Sequence, residues 1–395
     1  MSKKVCVIIN GARTPIGRYG SVFRDLTVVD LEVTALKGAL AKSGVKPEQV
    51  NEVIIGHARQ AGNGSNPARI TSYKAGFPVE VPACTVNQAC LSGMLAIMLA
   101  DQSISLGNSD IVVAGGMEHH SSVPYLSFNT RWGARMGDVT LVDGQFRDGY
   151  HCGIEHAHMG LLTDVLAEEL GITREEQDRF AYESQQKVKK AKEDGFFART
   201  IVPVSVPQQK GSPLVVQEDE TPRPDTTLQA LAKLPPAFRP NGTITAGNAP
   251  PIPDGASAVV VASREKADEL GLEPLGRIVS YATSAIEPKR FGIAPIPAVA
   301  LALKRAGLTL DDIDLIEINE AFSAQVIAVM KLSGMDAGKV NIHGGGVALG
   351  HPTGMSGNRI TLDLLYSLKE KGGRYGVAAI CGNGGHGGAM VVEAI

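Results

Sequence analysis

Tryptophan occurs once in 395 residues, and all aromatics together make up 5%. Basic residues show no surplus: 38 Lys and Arg face 41 Asp and Glu, for a formal net charge of -3. Nucleic-acid binding draws on excess cations against phosphates and on aromatic faces for bases, so no nucleic-acid partner is expected. Long apolar runs are missing too. None approaches the roughly 20 residues that cross a bilayer, so no membrane partner is expected. The opening MSKKVCVIIN passes from two lysines into a short apolar stretch that ends at Asn10 and Gly11, without a secretory core. Five cysteines, an odd number at irregular spacing, make no disulfide framework and read as reduced thiols of a cytoplasmic protein. His151, Cys152, Glu155, His156 and His158 cluster without the paired spacing of zinc motifs, so no metal is expected.

Hydrophobic residues at 44% and charged residues at 20% are the balance of a soluble globular chain. Its length exceeds one ordinary core, which predicts two packed domains, or one with a large insertion, and room for a shared cleft. Glycine is abundant, 45 in all, and clusters at Gly344–Gly346 and between Gly382 and Gly388, where the backbone must turn tightly or approach a ligand. Apolar spacing predicts strands at Val5–Ile9, Val53–Ile55, Cys84–Val86 and Ile111–Ala114, and helices over Thr27–Ser43 and Leu91–Leu106. From about Glu118 to Asn248 the texture changes to longer polar stretches, helices at Thr163–Leu170 and Arg174–Asp194, and the proline-rich PVSVP and TPRPD segments. This reads as an inserted subdomain. The α/β alternation then resumes, with strands at Ala256–Ala262, Leu315–Ile318 and Val377–Ile380 and helices at Val299–Ala306 and Ala321–Ser333. The two ends read as repeats of one unit, each offering a cysteine at a strand end.

Cys90 stands in VNQACLSGMLAIMLA, where a strand end runs into a long helix. The positive end of the helix dipole would lower the thiol pKa and favour thiolate; taken alone, Cys90 is equally well a small buried residue closing the core. His351 lies in HGGGVALGHPTGMSG, a glycine-rich loop closed by Pro352 before a helix start at Ser356–Arg359. An imidazole exposed there can deprotonate a thiol, and a structural histidine is the plainer alternative. Cys381 ends the strand YGVAAI and opens CGNGGHGG, so a second thiol emerges at a strand mouth as an acid or base. Gly382 to Gly387 also fits G-x-G-x-x-G, but a dinucleotide fingerprint needs a following helix and only AMVVEAI remains. Those glycines instead offer backbone room and oxyanion donors. Asn319 and Glu320, in IEINEAFSAQ between a strand and a helix, either cap that helix or face a cleft.

With ARTPIG near the start, AGGME at 114–118, HMG at 158–160, EEQDRFA, AGN at 246–248, DGA at 254–256, NEAF at 319–322 and GHP at 350–352, these segments resemble the thiolase family over essentially the whole chain. The resemblance implies an α/β fold of two similar halves in a five-layer αβαβα core. Residues 1–118 with 249–274 would form one half and residues 275–395 the other, with a loop domain, 119–248, inserted over the coenzyme A site. It implies that Cys90 carries the acyl group, that His351 takes its proton, and that Cys381 moves the α-proton of a second acyl-CoA. One oxyanion hole would come from His351 and a water held by Asn319, the other from the backbone N–H groups of Cys90 and Asn383. His158, Ala246, Pro250 and Phe322 fall among the implied acyl-CoA contacts, and Arg223 near the nucleotide end, where an arginine suits phosphate or adenine. The implied partners are acyl-CoA and coenzyme A as substrates, with no further cofactor, and the implied assembly is a homodimer or homotetramer.

Departures from the family pattern surround these residues. Leu91 follows the nucleophile in place of glycine, which predicts a bulkier floor to the acyl pocket, and Pro250 replaces a serine against the pantetheine arm. His343 stands for asparagine, Asn383 for glycine, and His120 and Phe291 for methionine, all expected around the acyl and pantetheine region. If position 383 needs a positive φ, asparagine is among the least costly replacements for glycine. ARMGD and the length of the insertion point to condensation of two acetyl-CoA into acetoacetyl-CoA and its reversal. A thiolase degrading longer or unusual 3-ketoacyl chains, and an acyl-CoA-binding protein without turnover, are the alternatives.

Overall fold

The structure is a computed structural model that describes residues 4–395. Among these, nine strands build the frame: β1 (Cys6–Arg13), β2 (Glu52–His57), β3 (Ala83–Val86), β4 (Ile111–His119), β5 (Pro253–Ser263), β6 (Gly276–Ala285), β7 (Leu315–Ile318), β8 (Tyr375–Gly382) and β9 (His386–Ala394). With the two-residue strand Gly17–Arg18 on β5 they form one sheet in the order β7-β8-β9-β6-β1-β5-β4-β2-β3. In the first half β2 runs parallel to β3 and β4, and β5 antiparallel to β4 and β1. The second half repeats this. There β7 runs parallel to β8, β9 antiparallel to β8 and β6, and Val340 bridges Ile316 of β7 in parallel, at the place β3 holds in the first half. The halves join where Val7 and Ile8 of β1 pair with Arg277 and Gly276 of β6.

Eight helices organise the layers: α1 (Val28–Ser43), α2 (Pro67–Ala75), α3 (Ser92–Ser105), α4 (Met159–Glu169), α5 (Arg174–Glu193), α6 (Pro295–Ala306), α7 (Ser323–Ser333) and α8 (Thr353–Lys371). Thr27 caps α1 in a capping box with Asp30, and Gly44 ends it with φ 72°. The buried stripe of α1, Leu31, Ala35 and Leu36, packs with Val53, Val113 and Val260 as one outer layer. On the opposite face of the same strands, Val112 and Val259 pack with Met94 and Ile97 of α3 and Ile360 and Leu364 of α8, which also cover Ile380 and Val392 of the second half. Beyond it, Val299 of α6 and Val326 of α7 close over Ile316, Val377 and Val391. The result is five layers, α-β-α-β-α. Both faces of β4 and β5 are covered, which is why these strands read as unbroken apolar runs rather than alternating ones.

Several elements differ from their sequence pattern. The helix after His351 begins at Thr353, earlier than Ser356, and runs for 19 residues. It lies between the two halves of the sheet and is buried nearly all round, so it has no polar face to set a period. α4 starts at Met159, with His158 rather than a serine or threonine as its cap. The repeat of the two halves holds, but the cysteines are not its equivalent points. Cys90 precedes α3 as His351 precedes α8, whereas Cys381 lies at the end of β8, which matches β4.

Between His119 and Pro253 the described chain adds no strand to the large sheet; it forms α4, α5 and three two-stranded sheets. Leu166 and Ala167 of α4 dock on Ala324 and Ala328 of α7. Val188 and Ala191 of α5 dock on Ala348 and Leu349 beside His351. Among the described residues no helix is long and apolar enough to cross a membrane.

The central helices cross on glycine. A Cβ on Gly93 would lie 2.6 Å from the Gly354 carbonyl oxygen, and one on Gly357 would lie 2.6 Å from the Met94 nitrogen. Alanine normally gains up to about 1 kcal/mol over glycine inside a helix, so the sign of Gly357→Ala tests this crossing. We expect a net loss of about 2 kcal/mol, seen as a lower urea midpoint at unchanged slope. A raised midpoint would mean that the two backbones accommodate a methyl group.

Candidate active site

The turn that carries Cys90 is built by its neighbours. Asn87 Oδ1 accepts from the Ala89 N–H at 2.9 Å, Ser92 Oγ accepts from the Gln88 N–H at 2.9 Å, and the Ser92 hydroxyl donates to the Ala89 carbonyl at 2.6 Å. These bonds hold Ala89 at φ 50°, a region that costs an alanine energy, and the turn sets Cys90 two residues before α3. Leu91 points away from this turn into the central core, under Gly382 and Gly388, where a Cβ would meet its methyl groups at 2.7 and 2.9 Å. It does not line the cavity, so the expected bulkier pocket floor is absent.

His351 sits between Gly350, at φ 92°, and Pro352, the N-cap of α8. Its Nδ1 lies 2.6 Å from Ser356 Oγ, whose own proton is donated to the Pro352 carbonyl at 2.9 Å. A hydroxyl so committed can only accept, so Nδ1 carries the imidazole proton and Nε2 keeps the lone pair. Asn319 is fully buried, and its Nδ2 lies 3.4 Å from Nε2, while its Oδ1 has no protein partner. It does not cap α7, whose N-cap is Phe322. Glu320 is a brace: it accepts from Ser184 Oγ, Asn341 Nδ2 and the Val347 N–H at 2.8 to 2.9 Å, tying down the glycine loop before His351.

Cys381 is buried at the end of β8, opposite Gly387 of β9. The β8–β9 pair is a tight hairpin with no helix after it, so the G-x-G-x-x-G match forms no dinucleotide loop. Its left-handed residues are Gly384 and Gly385, at φ 84° and 83°; Asn383 has no positive φ, and no glycine-like strain arises there.

Cys90, His351, Cys381 and Asn383 line one cavity of about 290 Å³ whose remaining wall is largely apolar and includes His158, Phe238, Ala246, Pro250, Phe291 and Phe322. Burial pushes the Cys90 thiol up to about 11, although the Arg59 guanidinium and the backbone N–H groups of Asn383 and Cys90 pull it down. This overturns the expected thiolate: desolvating a charged sulfur costs more than the surrounding dipoles return. Burial, with Arg59 adding to it, lowers His351 to about 3, and burial with the nearby Cys90 sulfur raises Cys381 well above the ordinary thiol range. The resting site is therefore two neutral thiols and a neutral imidazole.

His158 accepts from the Gly160 N–H at 3.0 Å through Nδ1 and stacks on Phe238 at 4.6 Å, which leaves its Nε2–H as a donor. Arg223 is not in this cavity; it lines a neighbouring one of about 140 Å³ that shares Ala246, Ala249 and Pro251. His343 is outside as well. It stacks on Phe196 at 3.7 Å and meets Ser367 and Glu370, so it packs α8 rather than the acyl region. His120 is buried behind the wall, 3.1 Å from Thr353 Oγ1. His151 and Cys152 pair with His158 and Ala157 in a small hairpin, and no three such side chains converge as a metal cage among the described residues.

Sequence reasoning missed Arg59, Tyr150 and Thr353, which also line the cavity. Glu118 anchors Arg59, which in turn reaches Thr353 Oγ1 and rests on the Tyr150 ring. Burial works against its charge, but His57, Arg59 and His120 more than offset this and hold its carboxyl below the usual range. The available signal was a single cation in VIIGHARQAG, directly after a buried strand.

Comparison with known proteins agrees along the whole chain. Residues 6–265 match the family model "Thiolase, N-terminal domain" and residues 272–394 match "Thiolase, C-terminal domain". The chain is 47% identical over 387 residues to the acetyl-CoA acetyltransferase of Cupriavidus necator, covering 98% of both. It is 46% identical to a probable acetyl-CoA acyltransferase of Staphylococcus epidermidis, again over 98% of both. The Bacillus anthracis acetyl-CoA acetyltransferase superposes over the full length of both chains with a TM-score of 0.97 at 43% identity. Human mitochondrial 3-ketoacyl-CoA thiolase in complex with CoA does so over 99% of this chain and 98% of that one, with a TM-score of 0.95 at 39% identity. With both family models matched in order and two similar halves of one sheet folded around a shared pair of central helices, this chain belongs to the thiolase family.

Proposed function

We propose that the protein is an acetyl-CoA C-acetyltransferase, joining two acetyl-CoA into acetoacetyl-CoA and CoA and reversing that reaction through an acylated Cys90. The observation that carries this reading is one cavity lined by two thiols and an imidazole whose Nε2 is free to take a proton. The names of relatives 45–47% identical over nearly full length support acetyl as the acyl group.

Because the resting groups are neutral, activation is a proton transfer during attack. Cys90 Sγ adds to the thioester carbonyl of the first acetyl-CoA as its proton passes to His351 Nε2. The carbon–sulfur bond to coenzyme A breaks, and the departing thiolate takes a proton from Cys381. Cys381, now a thiolate opposite an imidazolium, removes the α-proton of a second acetyl-CoA. That carbanion attacks the acyl-Cys90 carbonyl, a carbon–carbon bond forms, and the released Cys90 sulfur takes the proton back from His351. The carbonyl oxygen on Cys90 develops charge toward the N–H groups of Cys90 and Asn383, and the enolate oxygen toward His351 with Asn319 behind it. Each step is acyl or proton transfer, so no metal or redox cofactor is invoked. Coenzyme A enters past His158, Ala246, Pro250 and Phe322, its nucleotide end toward Arg223. We place the enzyme in the cytoplasm as a homodimer or homotetramer.

Two measurements test this. Wild-type protein should cleave acetoacetyl-CoA with coenzyme A, and Cys90→Ala should lose at least about 1,000-fold in rate. Cys381→Ala should still take a radiolabelled acetyl group onto Cys90 while condensation falls by about 100-fold or more. Label retained on a Cys90→Ala chain, or full condensation without the second thiol, would remove the assignment.

The neutral resting state has its own signature. Alkylation of Cys90 by iodoacetamide, followed on its peptide by mass spectrometry, should rise about tenfold per pH unit from pH 7 toward 10, since the thiolate fraction grows until pH reaches about 11. A flat rate from pH 5 to 8 would instead report a preformed thiolate–imidazolium pair.

A further inference from the structure

Gly149 and Tyr150 end a single π-turn, Phe146–Tyr150, and line the cavity together with Cys90 and Asn383. The turn does not continue as a helix, so carbonyls at its end need donors from elsewhere. The Tyr150 hydroxyl accepts from Gln145 Nε2 at 3.0 Å, and the ring lies 4.9 Å from the Arg59 guanidinium carbon. The segment is also tied to the β8–β9 hairpin. Asn383 Nδ2 donates to the His151 carbonyl at 3.2 Å and lies 3.5 Å from the Gly149 carbonyl. Only the NH2 side of an amide can face two carbonyl oxygens, which fixes the orientation of this side chain. Among the described residues no other hydrogen bond joins the hairpin to Gly149–His151. The backbone N–H of the same Asn383 faces the Cys90 sulfur, so the tether springs from the residue beside the acyl carrier.

We infer that the Asn383 side chain is a positioning element that sets acyl-chain length: by tying Gly149–His151 to the hairpin, it holds the Tyr150 wall closed beside Cys90 and confines the acyl group to short chains. This rests on the acyl-transfer reading above and deepens it, because it names what excludes longer chains from the same site. An acyl chain carried on Cys90 extends into the space that Gly149 and Tyr150 bound, and further methylenes push against that wall. Moving the wall breaks the Asn383 tether, and one net hydrogen bond sets an opening equilibrium of about tenfold. Asn383 has no positive φ, so alanine fits the same backbone and its substitution removes the tether alone.

Thiolysis of acetoacetyl-CoA and of 3-oxooctanoyl-CoA is compared in the wild type, Asn383→Ala and Asn383→Asp, and amide hydrogen exchange is followed on the peptide spanning 142–158 of the unliganded proteins. Wild-type kcat/KM should favour acetoacetyl-CoA by at least about tenfold. Both variants should narrow that preference by about tenfold and quicken exchange in the peptide by a similar factor, the aspartate because its carboxylate repels the two carbonyls it faces. Tyr150→Ala, which removes the wall and keeps the tether, should narrow the preference as well. A wild type that cleaves both chains equally overturns the inference without any variant having to fold. Variants slowed equally on both chains with the preference intact overturn it too. Failure of the wild type on both chains would count against acyl transfer itself, and the exchange comparison, which needs no turnover, would still decide the tether: unchanged exchange in Asn383→Ala removes it.

Discussion

The glycine crossing of α3 and α8 is the constraint on which the site depends. Gly93, Gly354 and Gly357 bring two backbones together where side chains would hold them apart, and Gly56 and Gly116 bring β2 and β4 against the same point. A Cβ on Gly116 would lie 2.3 Å from the Gly354 carbonyl oxygen, so strand and helix backbone touch as well. Both helices start near this crossing, and Cys90 and His351 each lie two residues before a helix start. Their meeting is therefore a property of packing in the middle layer rather than of either loop. It also explains why the turns are so heavily bonded, by Asn87 and Ser92 on one side and by Glu320 and Ser356 on the other. A crossing fixed to within a few tenths of an ångström gives positional accuracy only if the side chains are held equally firmly.

Burial that follows from this packing sets the chemistry of the resting state. Both halves of the sheet and an inserted segment cover the cavity, and the loss of water raises both thiols and lowers the imidazole. Ion pairing is then disfavoured in the empty site, and charge develops only once a carbonyl oxygen meets the waiting N–H groups.

How much of this was legible in the sequence varied with the physics. Cys90, His351 and Cys381 could be placed because strand ends, glycine loops and helix starts leave local signatures, whereas Asn383 and Phe322 were placed only by the resemblance of their motifs to the thiolase family. The outer helix α1 could be read from Leu31, Ala35 and Leu36 because it has a wet face. α8 could not, since a helix buried on every side shows no period, and β6 was hidden by an opening Gly-Arg pair. Leu91 was placed on the wrong side of its turn, as the direction of a side chain at a helix start depends on turn bonds made by Ser92 and Asn87. His343 was assigned to the acyl region although it stacks on Phe196, a contact across 147 positions that no local pattern reveals. Arg59 left almost no trace, because nothing local distinguishes a cavity-facing arginine from a solvated one.

The repeat clarifies why one site forms and not two. Each half supplies a residue before its central helix, a cysteine from the first and a histidine from the second, so the equivalent positions complement each other across the pseudo-twofold relation. The second thiol breaks the symmetry: it sits at the end of β8, whose counterpart β4 ends instead in Glu118 and His119. That counterpart anchors Arg59 in the cavity wall through Glu118. The insertion breaks the symmetry again, since only the first half carries one: it covers the second half's α7 and glycine loop, and its Val202, Val204 and Val206 also pack on the first half beside α1. One half thus provides Cys90 and Arg59, the other Asn319, His351 and Cys381. The cavity exists only where the two are pressed together.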